Sequence, residues 1–337
     1  AVVVSAYNEE NQIGMVIETM PAFVDKIIIV NDCSKDNTEE IVKKFILKEA
    51  EYHSEGLTST IFEKYDELIS LGNNHISRFA LINHSKNKGK GAGIVSGYKY
   101  ARLHGYDCIA SMDGDGQMDP NELYSLCIPI IKEKIDYVKG NRLIHNSAFE
   151  IIPKVRFIGN SILSLLTKIA SGYWEVTDPQ TGYNVISKEA LLSIDIDKIY
   201  KNYGYPNDVL VKLNIAMCSI REVEIKPIYN IGEKSKMKIY KVIPKLLLLL
   251  FLSYFKRLYK KYFFRSLHPL FFIYHLSFIC FIIWILHTLN MINDIFLLKG
   301  SLGFKQIVFF IFLFITGFQS LVFAMWMDKH NNKHLIK

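Results

Sequence analysis

Apolar runs alternate with helical patterns through the first part of the chain. Residues 2–5, 26–30, 78–82 and 108–112 form short runs that are almost wholly apolar, which is typical of strands covered on both faces of a sheet. Between the runs, first at residues 11–20, apolar positions recur at helical spacing. Strand, loop and helix in repeated order predict an α/β fold with a mainly parallel sheet flanked by helices.

The pattern changes near residue 235, beyond which Leu, Phe and Ile dominate. Residues 267–289 and 307–327 contain no Asp, Glu, Lys or Arg, and each is close to the roughly 20 residues that a helix needs to cross a bilayer. We therefore predict two transmembrane helices joined by a short extracytoplasmic loop at 290–306. Residues 236–266 mix cations with aromatic and aliphatic residues, which predicts basic amphipathic juxtamembrane helices.

The distribution of charge bears on the partner and on the orientation. The 337 residues are 50% hydrophobic and 22% charged, with a net charge of +7. Many cations lie between Lys226 and Arg265, next to the apolar region, which indicates an anionic membrane surface rather than nucleic acid. Cations before the first span and in a predicted tail at 328–337 place both flanks in the cytoplasm by the positive-inside rule. The domain formed by residues 1–235 would then also be cytoplasmic.

The strongest candidate for chemistry is an acidic turn after the apolar run at 108–112. Asp113 and Asp115 follow this run with glycines beside them, and Gln117 adds a neutral oxygen. Hard oxygen ligands of this kind suit Mg²⁺ or Mn²⁺ shared with the phosphates of a substrate. A solvated turn is the alternative, because Asp and Gly are common turn residues.

Glu9 and Asp32 also follow predicted strands, and ligands of parallel sheets bind beyond the carboxyl ends of the strands. The glycine-rich residues 87–93 open a predicted helix, where backbone N–H groups favour anions. Within them, Lys90 is a candidate for contact with a phosphate or a base, or it belongs to a solvated basic loop. The spacing matches neither the P-loop nor the dinucleotide-binding fingerprint, which disfavours nucleotide hydrolysis and nicotinamide binding.

Two arginines are candidates for binding a phosphate. Arg142 ends a predicted strand at 136–142, and Arg156 lies on a predicted helix that begins at Pro153. Asn160 follows Arg156 by four residues and shares its helix face. A guanidinium group matches the geometry of phosphate oxygens, although a pair of surface arginines is the simpler alternative.

Four segments in the same order resemble family 2 glycosyltransferases, which have the GT-A fold. They are residues 5–10, 30–36, 87–90 and 113–117. The resemblance is greatest to the branch that uses polyprenyl phosphates as acceptors, and it covers about residues 1–240. One departure is Ser5, where the family usually has proline, so the shape of the base pocket differs there.

The resemblance implies a role for each candidate. The residues implied in donor binding are Ser5, Tyr7, Glu9, Asp32, Lys90, Asp113, Gln180 and Lys236. Those implied in holding Mg²⁺ or Mn²⁺ on the donor diphosphate are Asp113, Asp115 and Gln117. Those implied at the acceptor phosphate are Arg142, Arg156 and Asn160. Asp178, near Gln180, is implied to position the sugar or the metal, with a structural turn as the alternative for both residues, and a plain linker is the alternative for Lys236.

Asp208 is the one candidate for a general base. Many family members carry their catalytic base in an acidic pair at this point, and here the pair is Asn207 and Asp208. Asp208 is equally expected as the N-terminal residue of a helix. A polyprenyl phosphate is already anionic and needs alignment rather than deprotonation. The expected catalytic set is therefore Asp115, Arg142 and Arg156, with Asp208 added for an acceptor that has to be deprotonated.

The resulting prediction is a membrane-bound, inverting glycosyltransferase. It would move a sugar from a UDP or GDP donor to dolichyl or undecaprenyl phosphate, and relatives with two spans imply a homo-oligomer. One alternative is a glycosyltransferase that acts on a hydroxyl acceptor with Asp208 as base. Another is a non-enzymatic membrane scaffold, which the intact acidic turn disfavours.

Overall fold

The computed structural model describes residues 1–53, 77–152, 154–229, 239–296 and 302–337. In these ranges seven strands form one sheet. The strands are β1 (Val2–Ala6), β2 (Ile27–Asn31), β3 (Phe79–Asn83), β4 (Cys108–Asp113), β5 (Tyr137–Asn141), β6 (Asn184–Ser187) and β7 (Ile220–Glu224). Their order is β3-β2-β1-β4-β6-β5-β7. Only β6 runs antiparallel to its neighbours among these seven strands, so the prediction of a mainly parallel sheet is confirmed.

Helices lie on both faces of the sheet and continue beyond it. The helices are α1 (Ile13–Glu18), α2 (Thr38–His53), α3 (Lys90–Leu103), α4 (Leu123–Glu133), α5 (Ala148–Ile151), α6 (Lys154–Ser171), α7 (Lys188–Ser193), α8 (Tyr205–Ile215), α9 (Ile239–Arg257), α10 (Pro269–Phe296) and α11 (Phe304–Asn332). A π-helical segment, Leu258–Phe264, follows α9. Short 3₁₀ helices lie at Pro120–Glu122, Ile196–Lys198 and Lys333–Leu335.

The two faces of the sheet carry separate apolar cores. Val2 and Val4 of β1 pack in one core, whereas Val3 packs in the other, as the alternation of side chains along a strand requires. On the second face α3 lies very close to β1, because a Cβ atom at Gly97 would lie 2.1 Å from Val3 Cγ1. Coverage on both faces explains why the strands appear in the sequence as continuous apolar runs.

The two long C-terminal helices are apolar along most of their surface. Both α10 and α11 are long and apolar enough to cross a membrane, by length and composition. The first covers the span predicted at 267–289 from Pro269 onward, and the second contains the span predicted at 307–327. Only 28% of the most apolar stretch of the first and 17% of that of the second is buried inside the protein. Apolar surface on this scale without a protein partner is typical of contact with lipid or with another protein.

Part of the predicted tail at 328–337 packs against α9 and the sheet. Asp328 is fully buried and accepts hydrogen bonds from both terminal nitrogens of Arg257, each at 2.8 Å. Beyond it, Leu335 joins the apolar core on one face of the sheet. The backbone N–H of Lys337 donates to the carbonyl of Ile220 at 3.0 Å, so the chain extends the sheet beside β7. Within the predicted tail these contacts bury Asp328 and Leu335, while Lys329, His330, Lys333 and His334 stay exposed.

The juxtamembrane cations are divided between two environments. Lys256, Lys260 and Arg265 are exposed, as a basic surface facing lipid headgroups requires. Arg257 and Lys261 are buried, which the sequence pattern did not predict. Lys261 Nζ donates to Asn214 Oδ1 at 2.8 Å and to Asn332 Oδ1 at 2.5 Å, and Arg257 Nε donates to the carbonyl of Ala170 at 2.9 Å. Arg257 and Lys261 therefore join α9 and the π-helical segment to α6, α8 and α11.

We expect Asp328→Asn to lower the free energy of unfolding by about 3–5 kcal/mol, because it leaves Arg257 buried without its counterion. Thermal unfolding of the detergent-solubilised protein measures the loss. The matched control is Lys329→Gln on the next residue, whose ion pair with Glu175 is about half exposed; it is expected to change stability by less than about 1 kcal/mol. Equal, small effects of the two substitutions would contradict a structural role for the buried pair.

Candidate active site

The carboxyl ends of β1, β2, β4 and β5 border a cleft of about 500 Å³, a size typical of small-molecule sites. Parallel strands bring their ends to one edge of the sheet, which is why residues far apart in sequence meet here. The predicted site residues that line the cleft are Ser5, Tyr7, Glu9, Asp32, Lys90, Asp113, Asp115, Gln117, Arg142, Asn160 and Gln180. Sequence reasoning did not single out Asn202, Tyr203 and Tyr229, which also line it.

The acidic turn lies at the end of β4 and is held by its own backbone. Gly116 has a φ of 75°, a conformation that glycine adopts without strain. The backbone N–H of Gln117 donates to Asp115 Oδ1 at 3.1 Å. Burial raises the pKa of Asp115 to about 6, and the negative charge of Asp113 adds to the effect. Two carboxylates in one buried place favour a bound cation, since a cation removes their mutual repulsion.

The two oxygens of Asp113 differ in their partners. Oδ2 accepts from Lys90 Nζ at 2.5 Å, whereas Oδ1 is buried and has no hydrogen-bond partner in the described ranges. A buried polar atom without a partner is unfavourable, and a cation bound between Asp113 and Asp115 would satisfy this one. Among the described residues no group of three or more His, Cys, Asp or Glu side chains forms a metal site. A divalent cation at Asp113 and Asp115 would thus need further oxygens from the substrate.

Asp32 organises the glycine-rich loop from the end of β2. Its Oδ1 lies 2.7 Å from His84 Nδ1 and accepts the backbone N–H of Lys88 at 2.8 Å. Its Oδ2 accepts the backbone N–H of Gly89, also at 2.8 Å. His84 Nε2 lies 2.8 Å from Ser96 Oγ, so the imidazole joins Asp32 to α3. The sequence analysis did not identify His84, whose only signal was its place just after a predicted strand.

Arg142 is held in one orientation by Asp178. Nε donates to Asp178 Oδ2 at 2.8 Å and Nη2 donates to Oδ1 at 3.0 Å, a bidentate pair. Asp178 is fully buried, and its backbone N–H donates to Glu222 Oε1 at 3.0 Å. Burial alone would raise the pKa of Asp178, but the nearby Arg142 guanidinium and Lys139 ammonium together hold that pKa below its ordinary value. Asp178 therefore orients Arg142, rather than facing a sugar or a metal in this arrangement.

Gln180 lines the cleft, whereas Asp208 does not. The Nε2 atom of Gln180 donates to Asn207 Oδ1 at 2.9 Å. Asp208 is buried, and it is not one of the residues that line the cleft. It is paired with Lys212 and accepts the backbone N–H of Tyr200 at 2.8 Å. Its position in the first turn of α8 suits a carboxylate, so the geometry favours the structural alternative for this residue.

The acceptor set is brought together in part. Arg142 and Asn160 line the same cleft although Arg142 directly follows β5 and Asn160 lies on α6, with α5 between them in the chain. The side chain of Arg156 and the whole of Lys236 lie outside the described residues. Their predicted roles at the acceptor phosphate and near the donor diphosphate therefore stay predictions.

The sequence of this chain is similar to one family and to several named proteins. The sequence pattern described as "Glycosyl transferase family 2" matches residues 1–194. A UDP-N-acetylglucosamine–dolichyl-phosphate N-acetylglucosaminyltransferase of Methanococcus voltae is 32% identical over 229 residues, which are 68% of this chain and 85% of that one. A dolichyl-phosphate beta-glucosyltransferase of Trichomonas vaginalis is 28% identical over 70% of this chain and 65% of that one. Glucosyl-3-phosphoglycerate synthase of Mycobacterium tuberculosis superposes on 76% of this chain and 77% of that one, with 17% identity and a TM-score of 0.49.

Proposed function

The chain belongs to glycosyl transferase family 2, and on that basis we propose that it transfers a sugar from a nucleotide-sugar donor to a polyprenyl phosphate. The observation that carries the proposal is the similarity to the Methanococcus voltae enzyme across 68% of this chain. The names of three relatives of this chain give N-acetylglucosamine, glucose and mannose as the transferred sugar. All three names share a polyprenyl phosphate as the acceptor, so the acceptor class has the broader support.

The donor is assigned to the part of the cleft at the ends of β1, β2 and β4. Tyr7, Glu9 and Asp32 are proposed to surround the base of UDP or GDP. Asp113 and Asp115 are proposed to hold Mg²⁺ or Mn²⁺ with Gln117 nearby, and the orphaned oxygen of Asp113 fits that role. Such a cation would supply positive charge to the departing diphosphate.

The acceptor phosphate is assigned to Arg142, Arg156 and Asn160. Because Asp178 already orients Arg142 through two hydrogen bonds, the guanidinium needs little rearrangement to bind a phosphate. A phosphate oxygen carries its negative charge at neutral pH and attacks C1 of the sugar without a general base. The nucleoside diphosphate leaves from the opposite side of C1, and the configuration at C1 is inverted.

We further propose that α10 and α11 cross a membrane and that the cleft lies on its cytoplasmic side. The contacts of Arg257 with Asp328 and of Lys337 with Ile220 support a catalytic domain on the same side as the end of α11. Exposed Lys256 on α9 supports the cytoplasmic side. Exposed apolar residues of α9, such as Leu248, suit the membrane interface. A lipid phosphate would then reach the cleft directly from the bilayer surface.

A donor screen tests the proposal. The full chain, purified in detergent, is incubated with Mg²⁺ or Mn²⁺, a short polyprenyl phosphate and a panel of UDP and GDP sugars. We expect labelled sugar in the organic phase with at least one donor. Absence of lipid-linked product with every donor would refute the transfer reaction, and absence of metal-dependent donor binding as well would favour the scaffold.

Asp115→Ala is expected to lower metal-dependent transfer by at least about a hundredfold, the usual cost of removing an electrostatic group from an active site. Membrane insertion should be unchanged, since Asp115 lies in the cleft. Transfer is measured with the donor identified in the screen, and insertion by alkaline extraction of membranes. Asp119→Asn is the control: Asp119 caps a short 3₁₀ helix outside the cleft, and Asn caps equally well. Full activity of Asp115→Ala would refute the assigned role.

Asp208→Asn distinguishes a phosphate acceptor from a hydroxyl acceptor. For a phosphate acceptor we expect turnover per folded enzyme to stay within about threefold, whereas loss of a needed general base costs roughly a hundredfold or more. The variant leaves Lys212 buried without its partner, so its stability should fall. Asp208→Asn combined with Lys212→Gln removes both charges and should restore much of that stability. Loss of turnover in the folded double variant would favour the hydroxyl acceptor.

A further inference from the structure

We propose that Lys90 is an internal counterion of Asp113 that a divalent cation must displace. Metal binding would then be an exchange, in which the ammonium group leaves Asp113 and turns to the diphosphate of the donor. The inference rests on the metal site of the proposed function and adds a second, opposing role for a residue of that site. No bond is made or broken in the exchange apart from ion pairs and hydrogen bonds.

At Asp113 one carboxylate oxygen is paired with an ammonium group and the other has no partner in the described residues. Lys90 Nζ lies 2.5 Å from Oδ2, and the two side chains are 29% and 11% exposed. Oδ1 has no partner among the described residues. The ammonium group thus covers one of the two oxygens that a metal ion would use, and it neutralises a carboxylate that is largely out of water. An ion pair this little exposed to solvent is weakened less by salt than a surface pair.

The backbone that carries Lys90 is anchored on both sides, so the exchange has to occur by side-chain rotation. The preceding residue, Gly89, donates its N–H to Asp32 Oδ2 at 2.8 Å. After Lys90, the N–H of Ala92 donates to the carbonyl of Lys201 at 3.1 Å. A Cβ atom at Gly91 would lie 2.1 Å from the carbonyl oxygen of Tyr200, so the loop is packed tightly against its neighbour. A lysine side chain rotates about four bonds and can move its charge without moving this backbone.

The exchange couples the metal to the donor. Without a donor, the ammonium group competes with the metal for Asp113. With a donor, the diphosphate offers the ammonium group another anion within the same cleft, which removes the competition. Because coupling between two ligands is reciprocal, the donor strengthens metal binding and the metal strengthens donor binding. The enzyme would therefore hold its metal firmly only when a donor is present.

The test measures Mn²⁺ binding to the full chain in detergent, by the electron paramagnetic resonance signal of free Mn²⁺, without any turnover. Lys90→Gln keeps most of the side-chain length and removes the charge. We expect it to bind Mn²⁺ alone about tenfold more tightly than the unchanged protein. At saturating Mn²⁺ it should bind UDP or GDP at least about tenfold more weakly. The control is Lys99→Gln on the same helix, whose partner Asp197 is well exposed; its affinities should be unchanged.

The outcomes separate this inference from the proposed function. If the wild-type protein binds Mn²⁺ and Lys90→Gln binds it no more tightly, the exchange is overturned and the proposed metal site stands. Binding of Mn²⁺ alone by the variant but not by the unchanged protein supports the exchange in its strongest form. No Mn²⁺ binding by either protein, with or without UDP and GDP, overturns both the exchange and the proposed metal site.

Discussion

Buried negative charge at the carboxyl ends of the strands is the constraint on which this cleft depends. A carboxylate out of water is costly unless it is paired and hydrogen-bonded. Asp32 accepts hydrogen bonds from two backbone N–H groups and contacts an imidazole, Asp113 is paired through one oxygen with Lys90, and Asp178 is paired through both oxygens with Arg142. The partners of Asp32 and Asp113 come from one segment, residues 84–90, whereas Arg142 lies just after β5. The three acids therefore position the glycine-rich loop, the lysine and the arginine as much as they provide charge.

The three pairs leave the acids with different capacities for further binding. Asp178 has both oxygens committed to Arg142, and Asp32 has hydrogen bonds on both oxygens. Asp113 alone among these three keeps a buried oxygen without a partner in the described ranges. A cation is therefore expected at Asp113, whereas Asp178 acts through the arginine that it orients. Acidic residues that look alike in sequence have different functions because their surroundings differ.

The need to pair buried charges also governs the junction between the catalytic domain and the apolar helices. Arg257 and Asp328 are both fully buried, and each would be highly unfavourable without the other. Their pairing joins the end of α9 to the end of α11, and Leu335 and Lys337 continue the connection to the sheet. For an enzyme proposed to act on a lipid phosphate, this junction connects the domain that carries the cleft directly to the ends of the apolar helices.

By itself, the sequence determined five of the seven described strands, the mainly parallel sheet, the two long apolar helices and half of the residues that line the cleft. It could do so because periodicity reports burial, and because strand ends in such a sheet meet at one edge. Tertiary structure alone decided the antiparallel β6, the contact of residues 335–337 with the sheet and its core, and the burial of Arg257 and Lys261. It also decided that Asp208 pairs with a lysine outside the cleft. The physical reason is that a charged residue looks the same in sequence whether water or a distant side chain balances its charge, and only the folded chain brings that side chain to it.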